Sequence, residues 1–169
     1  MQTEESKTEV LVNGNFATGD LTGWMTVDPS GFFVMQDTES RFNCVLRSQP
    51  GPRPDALRQR LPDLPGTYQV AVWYRSCNET GQPADAATNF TVTILYQLEG
   101  SLRAYSAVCE AKREWDKFTH EFQLPRNAEY VQFAIQNLDD PLYRLMFPDL
   151  RSTSGQVDVA VCDVSFWKM

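Results

Sequence analysis

Three runs of this chain alternate between two kinds of side chain with a period of two. Tyr68 to Arg75 sets Tyr68, Val70, Val72 and Tyr74 against Gln69, Ala71, Trp73 and Arg75. Asn89 to Tyr96 sets Phe90, Val92, Ile94 and Tyr96 against Asn89, Thr91, Thr93 and Leu95, and Tyr130 to Gln136 sets Val131, Phe133 and Ile135 against Tyr130, Gln132, Ala134 and Gln136. Successive side chains of an extended strand leave on opposite faces, so each run has one apolar face and one mixed face. The apolar faces leave water only by pressing against a second sheet, which predicts Val70, Val72, Phe90, Val92, Phe133 and Ile135 in one dry interior.

Further β-type runs at Glu9 to Val12, Phe32 to Gln36, Asn43 to Ser48, Asp55 to Leu61, Leu102 to Cys109, Lys117 to Gln123 and Gln156 to Trp167 are separated by turn residues. The expected class is all-β: an antiparallel β-sandwich of jelly-roll type. Only Arg53 to Arg60 and Pro141 to Phe147 leave room for a turn or two of helix. The 169 residues suit one domain able to bury roughly 70% of its unfolded surface. Residues 1–9 are polar and charged and read as a tail, which puts the domain at residues 10–169.

The net charge of −7 disfavours nucleic acid and anionic membrane surfaces as partners. No apolar run is long enough to insert in a membrane, and the polar start carries no leader-type apolar segment. Enzymatic activity is not expected. His120 is the one histidine, no G-x-S-x-G elbow or phosphate loop is present, and Asp139-Asp140-Pro141 reads as a turn and not as a glycosidase pair.

Cys44, Cys77, Cys109 and Cys162 are widely spaced without a C-x-x-C pair, which argues against zinc and for disulfides. Cys77 with Cys109 and Cys44 with Cys162 is the favoured one of three possible connectivities. Two N-x-T sequons, at Asn78 and Asn89, agree with a secreted or extracellular setting.

The mixed faces carry Trp73, Arg75, Thr91, Thr93, Gln132 and Gln136, the chemistry of a sugar-binding platform. An aromatic ring stacks on the apolar side of a pyranose while amides, hydroxyls and a guanidinium bond its hydroxyls. An ordinary solvated sheet face would show the same pattern. Trp73 is the expected stacking residue, Tyr130 is a weaker aromatic candidate, and the loops Pro29 to Phe33 and Leu138 to Gln156 are expected rims. Trp24, Trp115 and Trp167 are expected in the core. One of the adjacent Phe32 and Phe33 must leave it.

Between Asn13 and Trp24 the chain reads NGNFATGDLTGW, rich in residues that accept positive φ or bond their own backbone. This segment resembles the opening motif of carbohydrate-binding modules with the galactose-binding-domain-like jelly roll, N-G-[DN]-F-E-x-G-x-x-x-G-W. ALRQRLPDLPGTYQVAVWYR, EWDKFTHEFQLP and AVCDVSFWKM resemble later strands of that family in the same order, so the likeness spans residues 10–169. It implies a non-catalytic module that binds a poly- or oligosaccharide, either accessory to a carbohydrate-active enzyme beside other domains of a larger protein or as a lectin-like domain. A protein-interaction or structural domain on the same scaffold is the alternative, with Leu138 to Gln156 as its contact. The resemblance also implies a structural Ca²⁺ held by Asn15 and Thr18 of the turn and Asp163 of the last strand. Ala17 and Cys162 stand where the family often has carboxylates, which removes oxygens that calcium uses.

Overall fold

The computed structural model describes residues 7–50, 54–139 and 157–169. Within them lie ten strands: β1 (Thr8–Glu9), β2 (Phe32–Gln36), β3 (Phe42–Leu46), β4 (Leu57–Arg60), β5 (Gly66–Cys77), β6 (Thr88–Leu98), β7 (Ser101–Ala111), β8 (Asp116–Leu124), β9 (Glu129–Asn137) and β10 (Asp158–Lys168). They form two antiparallel sheets. The first has the order β2-β3-β10-β5-β8, with β1 added to β10 where β3 has ended; the second has the order β4-β9-β6-β7. The only helical element among the described residues is a 3-10 turn at Pro29–Gly31; of the stretch Arg53 to Arg60, Leu57–Arg60 is strand and not helix, and Pro141 to Phe147 lies outside the described residues.

The sandwich is the one the alternation demands. Val70, Val72, Phe90, Val92, Phe133 and Ile135 are all fully buried between the two sheets. Burying each such side chain is worth roughly 1.5–3 kcal/mol relative to leaving it in water, so this interior is the main source of stability. Aromatic pairs cross it, with Tyr74 edge-on to Phe90 at 4.8 Å and Phe133 edge-on to Phe166 at 5.9 Å.

The chain start departs from the expected tail. Thr8 and Glu9 pair with Lys168 and Trp167, and one Glu9 carboxylate oxygen accepts from the N–H groups of Leu11 and Phe166, each at 2.9 Å. A polar residue is therefore used here to satisfy backbone donors, a role that hydropathy alone does not reveal.

The NGNFATGDLTGW segment folds into a plug at one end of the sandwich. Asn13 adopts φ 53° and its side-chain amide donates to the carbonyls of Asp20 and Thr22 while its oxygen accepts from Thr18 N–H. The turn so closed drives Phe16, fully buried, against Trp24, with centroids 5.6 Å apart, and the Trp24 indole donates to Asn13 O. Gln59 of β4 accepts from Val12 N–H and donates to Val12 O, tying the plug to the second sheet. Gly14 lies so close to the Val164 carbonyl that a Cβ would collide with it.

The disulfides expected from spacing are not formed: all four cysteines are free and buried. Cys44 sits opposite Val161 and faces the main core, so Cys162, the next residue of β10, faces the other side of its sheet. Cys109 also lies in the main core, whereas Cys77 packs with Val45 and Ala160 on the outer side of the first sheet. Both proposed pairs thus point to opposite faces. Burial pushes the thiols of Cys77 and Cys162 up to about 12 and that of Cys109 up to about 11. Neutral, enclosed thiols are poor nucleophiles.

Trp24 is a core residue as expected. Trp115 is not in the main core. It joins Phe33 and Met35 over the smaller outer cluster, covered by the guanidinium of Arg75 at 4.5 Å. Phe32 stays in the core and Phe33 leaves it, with Arg47 stacked over its ring.

Candidate functional site

The residues expected to form one platform are divided between the two outer faces of the sandwich. Thr91 and Thr93 of β6 and Gln132 and Gln136 of β9 lie side by side on the second sheet, since Thr91 is in register with Gln136 and Thr93 with Ala134. Trp73 and Arg75 belong to β5 in the first sheet and face away from them. Alternation fixed the side of each strand correctly, yet β5 and β9 lie in different layers, so their mixed sides point in opposite directions.

On the second sheet these four polar residues floor an open groove of about 630 Å³. Leu95 and Ala134 add apolar floor, Arg58 of β4 enters from the edge strand, and Val27, Asp28, Gln49, Pro54 and Asp55 form the wall. The wall is held by hydrogen bonds. One Asp55 oxygen accepts from Val27 N–H at 2.9 Å and Asp28 N–H at 2.8 Å, and the other faces the Arg58 guanidinium at 3.7 Å. Gln49 accepts from Asp55 N–H, and the Gln136 amide donates to the Pro54 carbonyl. The backbone of Met25 pairs with that of Arg58 in both directions, extending the wall from the plug.

Asp28 is the second carboxylate of the wall. It accepts from the hydroxyl and N–H of Ser30, and these bonds hold its carboxyl below the usual range. A general acid would need the opposite shift, a carboxyl pushed upward by a dry environment. What remains is a shallow, ordered surface of amides, hydroxyls and one guanidinium with apolar patches between them.

Tyr130 lies at the start of β9, 54% exposed, with Arg60 over its ring at 4.9 Å. It extends the same strand as Gln132 without lining the groove. His120 stacks flat on Tyr105 at 4.1 Å, an aromatic seam between the edge strands β7 and β8. It lines neither this groove nor the cleft beside Trp73 on the other outer face. Of the expected rims, Pro29 to Phe33 is the 3-10 turn and the first residues of β2, and Leu138 to Gln156 lies outside the described residues beyond Asp139.

On the other outer face, Trp73 is 37% exposed and lines a cleft of about 520 Å³ with Trp167, Ala71, Ser165, Lys117, Asp163, Glu9 and Asn15. Trp167, expected in the core, is only half-buried here because Phe166 takes the inward position. Of the three residues assigned to calcium, Asn15 and Asp163 meet in this cleft and Thr18 does not. Asn15 accepts from Ala17 N–H, and the Thr18 hydroxyl donates to Asp20 at 2.7 Å. No group of three or more His, Cys, Asp or Glu side chains placed to hold a metal ion occurs among the described residues. With Asn15 and Thr18 bonded within the turn, Asp163 is the one carboxylate of the three, a poor match for an ion that takes about six to eight oxygens.

Arg58, Asp55 and Val27 escaped the sequence reading of the groove, and Trp167 that of the cleft. The order Leu57-Arg58-Gln59-Arg60 does carry a signal: with Leu57 and Gln59 buried, both arginines must face outward.

No protein-family model matches the chain, and no curated protein matches it in sequence. Solved structures do share its fold. TmCBM61 in complex with β-1,4-galactotriose superposes with a TM-score of 0.61 at 12% identity, over 96% of this chain and 99% of that one. The CBM22-1 xylan-binding domain of Paenibacillus barcinonensis Xyn10C gives 0.64 at 10% identity, over 93% and 92%. The CBM22-1–GH10 modules of Clostridium thermocellum xylanase 10B, complexed with xylohexaose, give 0.63 at 12% identity, over 95% of this chain and 29% of that one. The chain therefore has the jelly-roll sandwich of carbohydrate-binding modules.

Proposed function

We propose that this protein is a non-catalytic glycan-binding module that holds an oligosaccharide in the groove over β4, β9 and β6. The observation that carries the reading is the row of Arg58, Gln132, Gln136, Thr91 and Thr93 on one rigid sheet, interleaved with Leu95 and Ala134. Sugar hydroxyls need donors and acceptors in fixed positions, and the apolar patches suit the C–H faces of the ring. Side chains mounted on strands hold such positions at little entropic cost on binding.

The fold agrees with this reading, since three of its structural neighbours are a galactotriose complex, a xylan-binding domain and a xylohexaose complex. Both groove carboxylates are engaged by the wall, which supports binding without hydrolysis. The module would meet its glycan outside the cell, in company with further domains of a larger protein.

Isothermal titration with β-1,4-galactotriose, xylohexaose and a wider panel of neutral oligosaccharides tests the reading. The Gln132→Ala/Gln136→Ala double variant is expected to weaken groove binding at least tenfold with its thermal midpoint preserved within a few degrees. No binding across the panel, or a double variant as tight as the wild type, would overturn it.

A further inference from the structure

We infer that the cleft between Trp73 and Trp167, on the face opposite the groove, is a second oligosaccharide-binding site that works by stacking. Trp73 is in register with Cys162 and Trp167 with Gln69, so the two indoles stand on one face about 13 Å apart along the sheet at roughly 3.3 Å per residue. Between them the floor is Ala71 opposite Ser165, two small side chains that leave the surface open. Two large rings flanking a low floor present flat apolar surfaces to a short chain of sugar rings.

Polar groups border the same floor. Glu9, Asn13, Asn15, Asp163 and Ser165 line it on the side of the plug, and Lys117 lines it on the side of β8. Asp163 stands there because β10 breaks register between Cys162 and Ser165, and it adopts φ 45°, a left-handed conformation that a non-glycine residue takes only when its surroundings impose it. Bulges of this kind re-aim side chains beside binding sites. Two carboxylates against one ammonium make the border acidic, so the ligand is a neutral oligosaccharide and not a uronate. Lys117 now sits over the Trp73 ring at 5.4 Å, and its flexible stem lets it swing aside when a sugar stacks.

The site is independent of the groove and does not require the reading proposed above. Indole ¹H–¹⁵N spectra of the full chain test it, the signals being assigned from Trp73→Phe and Trp167→Phe variants. Xylohexaose, β-1,4-galactotriose and a panel of neutral hexose oligosaccharides are the probes, with trigalacturonate as the charged control. The Trp73 and Trp167 signals are expected to move with at least one neutral sugar, in the wild type and equally in Gln132→Ala/Gln136→Ala. A Trp73→Ala/Trp167→Ala variant should lose this binding at least tenfold while retaining binding at the groove.

Neutral sugars that bind while both indole signals stay still would overturn the second site and leave the groove standing. Shifts that persist in the glutamine variant with no loss of total affinity would leave the cleft standing and remove the groove. A panel in which no sugar moves either indole overturns the second site, as does trigalacturonate binding as tightly as the neutral chain.

Discussion

The two outer faces of this sandwich use the same backbone geometry for opposite kinds of surface. The groove over β4, β9 and β6 offers hydrogen-bonding side chains in a fixed row and, among its lining residues, no aromatic ring. The face of β5 and β10 offers two indoles around a nearly bare floor. The first is suited to reading a pattern of ligand hydroxyls; the second is suited to stacking on ring faces with less regard for that pattern. Both sheets press Val and Phe side chains into one shared core, the first adding Tyr68 and Tyr74 and the second Ile94 and Ile135.

That shared interior gives the largest expected effect. Phe133→Ala removes a ring packed against Trp24 and Phe166 and is expected to lower stability by about 3–5 kcal/mol in urea unfolding, with both faces failing together. Loss from one face alone would show that the layers are less coupled than the packing implies. Asp55→Ala is expected to act on one face only. It frees the amides of Val27 and Asp28 and the Arg58 side chain, and should cost about 1 kcal/mol of stability and about tenfold in groove affinity, with Trp73 and Trp167 spectra unchanged. The smallest effect concerns the cleft end: millimolar Ca²⁺ is expected to leave the thermal midpoint where it was. A rise equivalent to about 2.7 kcal/mol, the gain at a hundredfold excess over Kd, would mean that Asn15, Thr18 and Asp163 rearrange into a cage after all.

The fold was legible because its main signal is local. β5 and β6 contain the alternating runs Tyr68 to Arg75 and Asn89 to Tyr96, β2 spans the run expected at Phe32 to Gln36, and the six residues named for the interior are there. The division of the platform was not legible, since a period of two tells which residues share a side of one strand and is silent on which sheet the strand joins. Trp73 and Gln132 each occupy the expected side of a strand and still face opposite directions. The cysteine pairing failed for a related reason. Parity around Val161 separates Cys44 from Cys162, but that register is set by pairing across the sheet, which spacing along the chain does not encode.

Strand β10 lies in the middle of its sheet, bordered by β3 and β1 on one edge and β5 on the other. The Asp158 carboxylate that accepts from Ser48 N–H reaches a partner 110 residues away. A nascent chain emerging in order must therefore hold β3 and β5 apart, with their inner edges bare, until the last segment arrives to zip them together. Acquisition of the native state should be slow and all-or-none, and a chain stopped short of Asp158 would be a substrate for chaperones and proteases instead of a smaller working module.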